Sequence, residues 1–344
     1  MTDRSTGLGA GVKAPATSLL DRSMLITIWR LSLPVVATRL LQVAVGWVDY
    51  YMVGGLGPAS IAAVGLSRQL IMIIMVLILG VSTGCTVLVA HFTGQGAPRE
   101  VSQVAKQSIM MGAVISLVIS ALGITFAPAA LSLMGAEREV IAIGVPYMRV
   151  FFSGLIFMLL NFIGNSLLQG AGDTVTPLWI MLFVNIVHVL SNYAFINGVG
   201  PWPALGVTGA AVGTMFSRFL GMLAQFGVLY SGRFAVRLLP GTSYRPDWGM
   251  MRRILRLGMP SAVQGVLRNG ASLIFVRFVA MTPAATAAVA AYSLGLQTES
   301  LSFMPALAFM VAATTLVGQS VGAGRMKEAE RWGWTVTGVS ATLM

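Results

Sequence analysis

Carboxylates are scarce in this chain: eleven Asp and Glu stand against 22 Lys and Arg in 344 residues. Charged residues of both signs make up only 10%, too few to clothe a water-soluble surface of this size. Cysteine occurs once, at Cys85, which excludes an internal disulfide and a cysteine-based zinc site. It lies in an apolar run rich in Gly, Ser and Thr, where a packed thiol is expected. No apolar signal-peptide core precedes the first long apolar run; the opening MTDRSTGLGAGVKAPATSLLDRS is polar and reads as a flexible arm. The net charge of +11 and pI near 10.7 raise the question of nucleic acid. The basic residues, however, sit between apolar segments without interleaved aromatics, which argues against it.

What is abundant is apolar sequence. Hydrophobic residues reach 56% and the mean hydropathy is +0.82. Apolar stretches of about 20 residues, enough to cross a bilayer, recur along the chain. The fold class is therefore an all-α polytopic membrane protein. Punctuation by Pro, Gly and charge predicts eight helices, over 24–53, 59–93, 103–133, 140–168, 175–196, 207–231, 252–280 and 285–320, with a ninth starting near Trp332. The loop charges are lopsided. Arg4, Lys13, Arg22, Arg99, Lys106, Arg233, Arg237, Arg245, Arg252, Arg253, Arg256, Arg325, Lys327 and Arg331 fall on one side, and only Arg138 on the other. Lys and Arg accumulate on the cytoplasmic side, so the amino terminus is expected there.

The chain also repeats itself. LSLP ending at Pro34 matches LGMP ending at Pro260, GPASIAAVG matches TPAATAAVA, and TVLVAHFTGQGAPREV matches TTLVGQSVGAGRMKEA, at nearly constant offset. An even number of predicted spans separates the copies, so both enter the membrane in the same sense. This is a parallel repeat, the plan of transporters that rock two bundles about a central site. The expected organisation is a cytoplasmic arm over 1–23, a complete six-helix lobe over 24–231, a basic connector over 232–251, and a partial second lobe over 252–344.

Nine of the acidic residues lie in loops or the terminal arm; only Asp49 and Glu299 fall inside predicted spans. An intramembrane carboxylate is costly unless it is paired or faces a wet cavity, and it commonly marks an ion path. The structural alternative is an ion pair with Arg39, Arg68, Arg149, Arg218, Arg268 or Arg277. In the fifth predicted helix Asn185, His188 and Asn192 share one face by their spacing. That face either hydrogen-bonds neighbouring helices or lines a cavity. Thr214 and Ser217 on the next helix offer hydroxyl oxygens, and Gln297 joins Glu299 as a candidate cavity residue. GVSTG at Gly80 to Gly84 spells a nucleophile elbow, but that motif needs a strand-to-helix turn and here lies within an apolar run. No Ser-His-Asp set accompanies it, so no enzyme is expected. The 21 methionines are lipid-facing or core filler, and their softness would also suit a cavity for varied apolar ligands.

These residues resemble one family. The first predicted helix has the form P-(x)14-D-(x)4-G, ending VDYYMVGGLG; the loop after the fourth reads LLQGAGDTVTP, and the eighth ends TTLVGQSVGAGR. Their order and spacing are similar to those of multidrug and toxic compound extrusion (MATE) transporters. The resemblance implies a two-lobed antiporter in the cell membrane that exports cationic or amphipathic small molecules in exchange for H+ or Na+. No cofactor beyond that ion and no obligate protein partner are implied. By the same resemblance Asp49, Asn192 and Thr214 would form the cation-coupling site, with Na+ held at Asp49 and Asn192 if sodium is used. Asn185, His188, Gln297 and Glu299 are candidates for the substrate cavity. Two departures stand out: the fifth helix lacks a carboxylate, and Arg268 stands near where some branches carry a Glu. A flippase for lipid-linked oligosaccharide, with a cationic cavity, and a non-transporting membrane receptor are the alternatives.

Overall fold

In a bilayer every backbone polar group must be satisfied within the chain, so a sequence this apolar spans as helices. The computed structural model describes residues 22–232, 236–239, 245–280 and 285–344, without the side chains of 73, 77, 273, 276, 277, 279, 280, 285–294 and 296–303. These residues form α1 (Arg22–Gly54), α2 (Pro58–Gly94), α3 (Pro98–Leu133), α4 (Arg138–Ser153), α5 (Leu155–Gly170), α6 (Val175–Asn197), α7 (Gly206–Ser231), α8 (Trp248–Ala280), α9 (Ala285–Gly322) and α10 (Met326–Leu343). Pro58 and Pro98 open their helices, at positions where the missing N–H costs nothing. Among the described residues six helices are long and apolar enough to cross a membrane, and the bent pair of α4 and α5 makes a seventh if the two are taken as one span.

Two expectations need correction. The helix expected over 140–168 is broken by 49° between Ser153 and Leu155. The break falls at a Ser-Gly pair, a common origin of kinks, and Gly154 leaves room there for the Met215 side chain. The ninth helix starts at Met326, not near Trp332, because Glu328 and Glu330 occupy its first, solvated turns.

The repeat persists in the backbone. After α2 the chain turns through Gly96 (φ 65°), and after α9 through Gly324 (φ 73°). Both turns carry the same hydrogen bonds: Ala97 N donates to Phe92 O at 3.0 Å, and Arg325 N to Ser320 O at 2.9 Å. Packing follows the same exchange. α2 packs on α8 while α1 packs on α9, and α2 meets α9 directly, as a two-fold relation between the α1–α2 and α8–α9 pairs requires. The α2–α9 meeting is tight because Gly94 backs onto the Gln319 carbonyl and Gly322 onto the His91 carbonyl. α2 is also the centre of the first bundle, packing against α3, α4 and α5. Ile78, Cys85, Val89, Ile163 and Leu167 lie at the heart of one apolar cluster, and Phe152, Leu155 and Ala211 of another.

Two loops are fixed by polar contacts. Lys106 Nζ of α3 donates to Leu239 O at 2.9 Å, and Gln107 Nε2 to Arg245 O at 2.8 Å, which lays the basic connector along α3. Asp173, in the loop after α5, accepts from Thr176 N at 2.9 Å. The carbonyls of Gln169 and Gly170 beside that loop accept from Thr315 Oγ1 at 2.8 Å and Gln319 Nε2 at 3.2 Å of α9.

Candidate functional site

Asp49 lies one turn before the end of α1, and the polar face of α6 is turned toward it. His188 Nε2 stands 2.7 Å from Asp49 Oδ1, and Asn192 Nδ2 donates to the same oxygen at 2.9 Å. With the carboxylate ionised, Nε2–H must be the donor. The 3.0 Å approach of Asn192 Nδ2 to that nitrogen is then two donors side by side, both directed at Oδ1. Oδ2 is left to the adjoining cavity. On the far side of the ring, His188 Nδ1 lies 3.4 Å from Ser217 Oγ of α7, whose hydroxyl donates to Thr214 O at 2.8 Å. With its hydrogen given to Thr214 O, Ser217 Oγ can only accept from Nδ1–H, so the imidazole links Asp49 to Ser217 when both ring nitrogens carry a proton.

The site is asymmetric in exposure. The Asp49 side chain is 31% exposed and that of His188 only 4%. The carboxylate meets the cavity while the imidazole behind it is packed away. The cavity holds about 360 Å³, and its walls include Arg68 and Met72 of α2, Tyr147 and Phe151 of α4, and Asn185, Thr214 and Arg218. That is near the lower end of the volumes that take a small organic ligand.

Asp49, Asn185, His188 and Asn192 are thus brought together as their spacing suggested, and all four line the cavity. The expected alternative for Asp49, a pair with an intramembrane arginine, is not what forms. Among the described residues Asp49 pairs with His188, and the other ion pair is Arg325 with Glu328 at the start of α10. Thr214 borders the cavity, but its hydroxyl donates to Ala210 O one turn back, at 2.7 Å. The side chains of Gln297, Glu299 and Arg277 lie outside the described residues. Arg39 turns to Gln42 Oε1 at 3.1 Å. Arg68 and Arg218, counted from sequence only as partners for Asp49, instead face the cavity; Ser217 belongs with His188. What signalled Arg218 was its position in the middle of α7, too deep for its head to reach either interface.

Asn192 is held by what α7 lacks. Gly213 faces it so closely that a Cβ there would overlap Asn192 Oδ1. Gly213→Ala should therefore push the amide off Asp49, and the activity of the protein should fall as far as in Asn192→Ala, within about threefold. Helix propensity alone would make this substitution stabilising by up to about 1 kcal/mol. A thermally stabilised Gly213→Ala protein of undiminished activity would show that the amide is not needed.

Comparison with known proteins agrees with this architecture. One family model, MatE, matches residues 34–194 and 260–344, two stretches that begin at the paired prolines of the repeat. A probable multidrug resistance protein, NorM, of Thermotoga maritima is 30% identical over 90% of this chain, which spans 66% of that relative. A multidrug resistance MATE transporter of the MOP superfamily, solved in an outward-facing conformation, superposes with a TM-score of 0.82 at 26% identity. It covers 92% of this chain, which spans 69% of it. A MOP superfamily transporter from Pyrococcus furiosus, described as having a binding pocket of reverse polarity, gives a TM-score of 0.83 at 25% identity, over 92% of this chain and 69% of its own. The chain thus spans about two-thirds of the length of these relatives. With its paired helices, shared turn and cavity-facing α1 carboxylate, it belongs to the MATE family of non-enzymatic, multi-pass membrane transporters.

Proposed function

We propose that this protein exports small organic molecules across the cell membrane in exchange for protons, with Asp49 as the coupling group. The observation that carries the reading is the 2.7 Å contact between Asp49 Oδ1 and His188 Nε2. A carboxylate beside an imidazole shares a proton readily, and an N–H directed at the carboxylate takes a position that a sodium ion would need. Multidrug export is what the NorM relative's name says of that protein, and the apolar, methionine-lined wall is suited to varied substrates. The lopsided distribution of Lys and Arg supports a cytoplasmic position for the basic face, with the connector at its edge.

Sodium remains a second reading because of one orphaned atom. Asn192 Oδ1 is buried without a hydrogen-bond partner, and with Asp49 Oδ2 it offers the oxygen ligands that a hard cation takes. Everted vesicles containing the protein, with a fluorescent dye supplied outside, separate the two. Uptake that stops when the proton gradient is collapsed and persists without sodium supports proton coupling. The opposite pattern would replace it by sodium, and insensitivity to both would reject antiport. Lipid-linked oligosaccharide flipping keeps one supporting feature, the two arginines on the cavity wall.

A further inference from the structure

Arg218 lies near the middle of α7, roughly 18 Å from either helix end at 1.5 Å per residue. Its head cannot snorkel to an interface, as arginines near helix ends do. Its Nε is buried with no hydrogen-bond partner, and its Nη1 reaches only the thioether of Met181, at 3.8 Å. Arg68 stands across the same cavity with its guanidinium 5.2 Å over the Tyr50 ring. Neither lies within ion-pair distance of a carboxylate among the described residues. Asp49, the one acidic residue on the wall, is already engaged by His188 and Asn192. A buried guanidinium donor without a partner is costly, and Arg218 is retained beside a space large enough for a ligand, with the more exposed Arg68 opposite.

We propose that Arg218, assisted by Arg68, is an acid-group subsite that binds the carboxylate of an aromatic zwitterion whose cationic end is turned toward Asp49. A guanidinium presents a planar fork of N–H donors that a carboxylate accepts two at a time, and the unpartnered Nε is one tine of that fork. Tyr147, Phe151 and Met158 supply the apolar wall for a ring system. The zwitterion also satisfies the coupling logic: its cationic end competes with the proton for Asp49, while its acid end is held at a group that does not titrate. A simple anion would bind better once Asp49 is protonated, which is the wrong sense for exchange.

This inference rests on the reading of the cavity as the substrate site, but its test needs no ion gradient. Rhodamine 110 carries a free carboxylate beside its cationic xanthene, and rhodamine 123 is its methyl ester; the two differ only in the group assigned to Arg218. Binding to the purified protein in detergent, followed by fluorescence anisotropy, should give at least about tenfold tighter binding of rhodamine 110. Arg218→Gln should reduce that ratio to about one by weakening rhodamine 110 alone, and Arg218→Lys should keep part of it. Arg68→Gln should lower it less, and decides the matter if Arg218→Gln does not fold. No preference for the free acid in the unaltered protein, or a preference that survives both substitutions, overturns the proposal. Failure of gradient-driven export with the preference intact would instead remove the antiport reading and leave the subsite standing.

Discussion

Asp49→Asn should give a protein that folds, inserts and binds substrate, yet exports it no faster than passive leak, at least about tenfold below the unaltered protein. The amide matches the carboxylate in size and still presents an oxygen to Asn192 Nδ2 and His188 Nε2, now 2.9 and 2.7 Å from Oδ1. What it cannot do is change charge. An ion can drive a conformational cycle only through a difference in its affinity between the two states, and each tenfold difference biases the equilibrium by about 1.4 kcal/mol. With no ionised form at position 49 that difference vanishes. Asp49→Glu keeps the charge at a displaced position and should retain a fraction of the activity. Asp173→Asn alters a carboxylate that accepts from Thr176 at the start of α6, and should leave ion dependence intact. Export by Asp49→Asn with unaltered dependence on the ion gradient would make the residue structural and end the coupling proposal.

Much of this arrangement was legible because it rests on periodicity. The spacings of Asn185, His188 and Asn192 put three polar groups on one face of an apolar helix, and a polar face buried in a membrane must meet something polar. The repeat was legible because its matches fall on Pro, Gly and Ala, whose roles are set by backbone geometry. Side-chain direction beyond Cβ was not legible. The hydroxyl of Thr214, a cation-site residue by the family resemblance, donates to its own carbonyl one turn back, as a helical threonine can with no help from a neighbour. Arg218 can extend several ångströms in any of several directions, and only the packed structure shows it in the cavity rather than against Asp49. The break at Gly154 hid in a continuous apolar run, VFFSGLIFML, where nothing in the composition distinguishes a straight span from a bent one. The partner of Asp49 was not legible either: six arginines stood as its structural alternative, and the imidazole on the polar face of α6 is the group that reaches it.

The contact between α2 and α9 was invisible for a further reason: it is made by backbone, and it carries the last prediction. Gly94 and Gly322 occupy equivalent places in the two copies, each laid against a carbonyl of the other helix. Thr315 and Gln319, two turns and one turn earlier on α9, hydrogen-bond to the last carbonyls of α5. Together these contacts close the basic face. A side chain at Gly94 cannot be absorbed by a rotamer change, because what it meets is main chain. Gly94→Leu should therefore disfavour the closed arrangement by about 1–3 kcal/mol, which is about a 5- to 150-fold rise in the population open at that face. Ser320, now 2% exposed, reports it. In a Cys85→Ala background, Ser320→Cys should react slowly with an impermeant maleimide applied from the basic face, and faster by that factor when Gly94→Leu is added. Gly227→Leu is the control, since a side chain at that glycine meets nothing within 4 Å. Equal reactivity in the Gly94 and Gly227 variants would mean that the glycine pair does not hold the two helices together, and closure of this face would then fall to Thr315 and Gln319 alone.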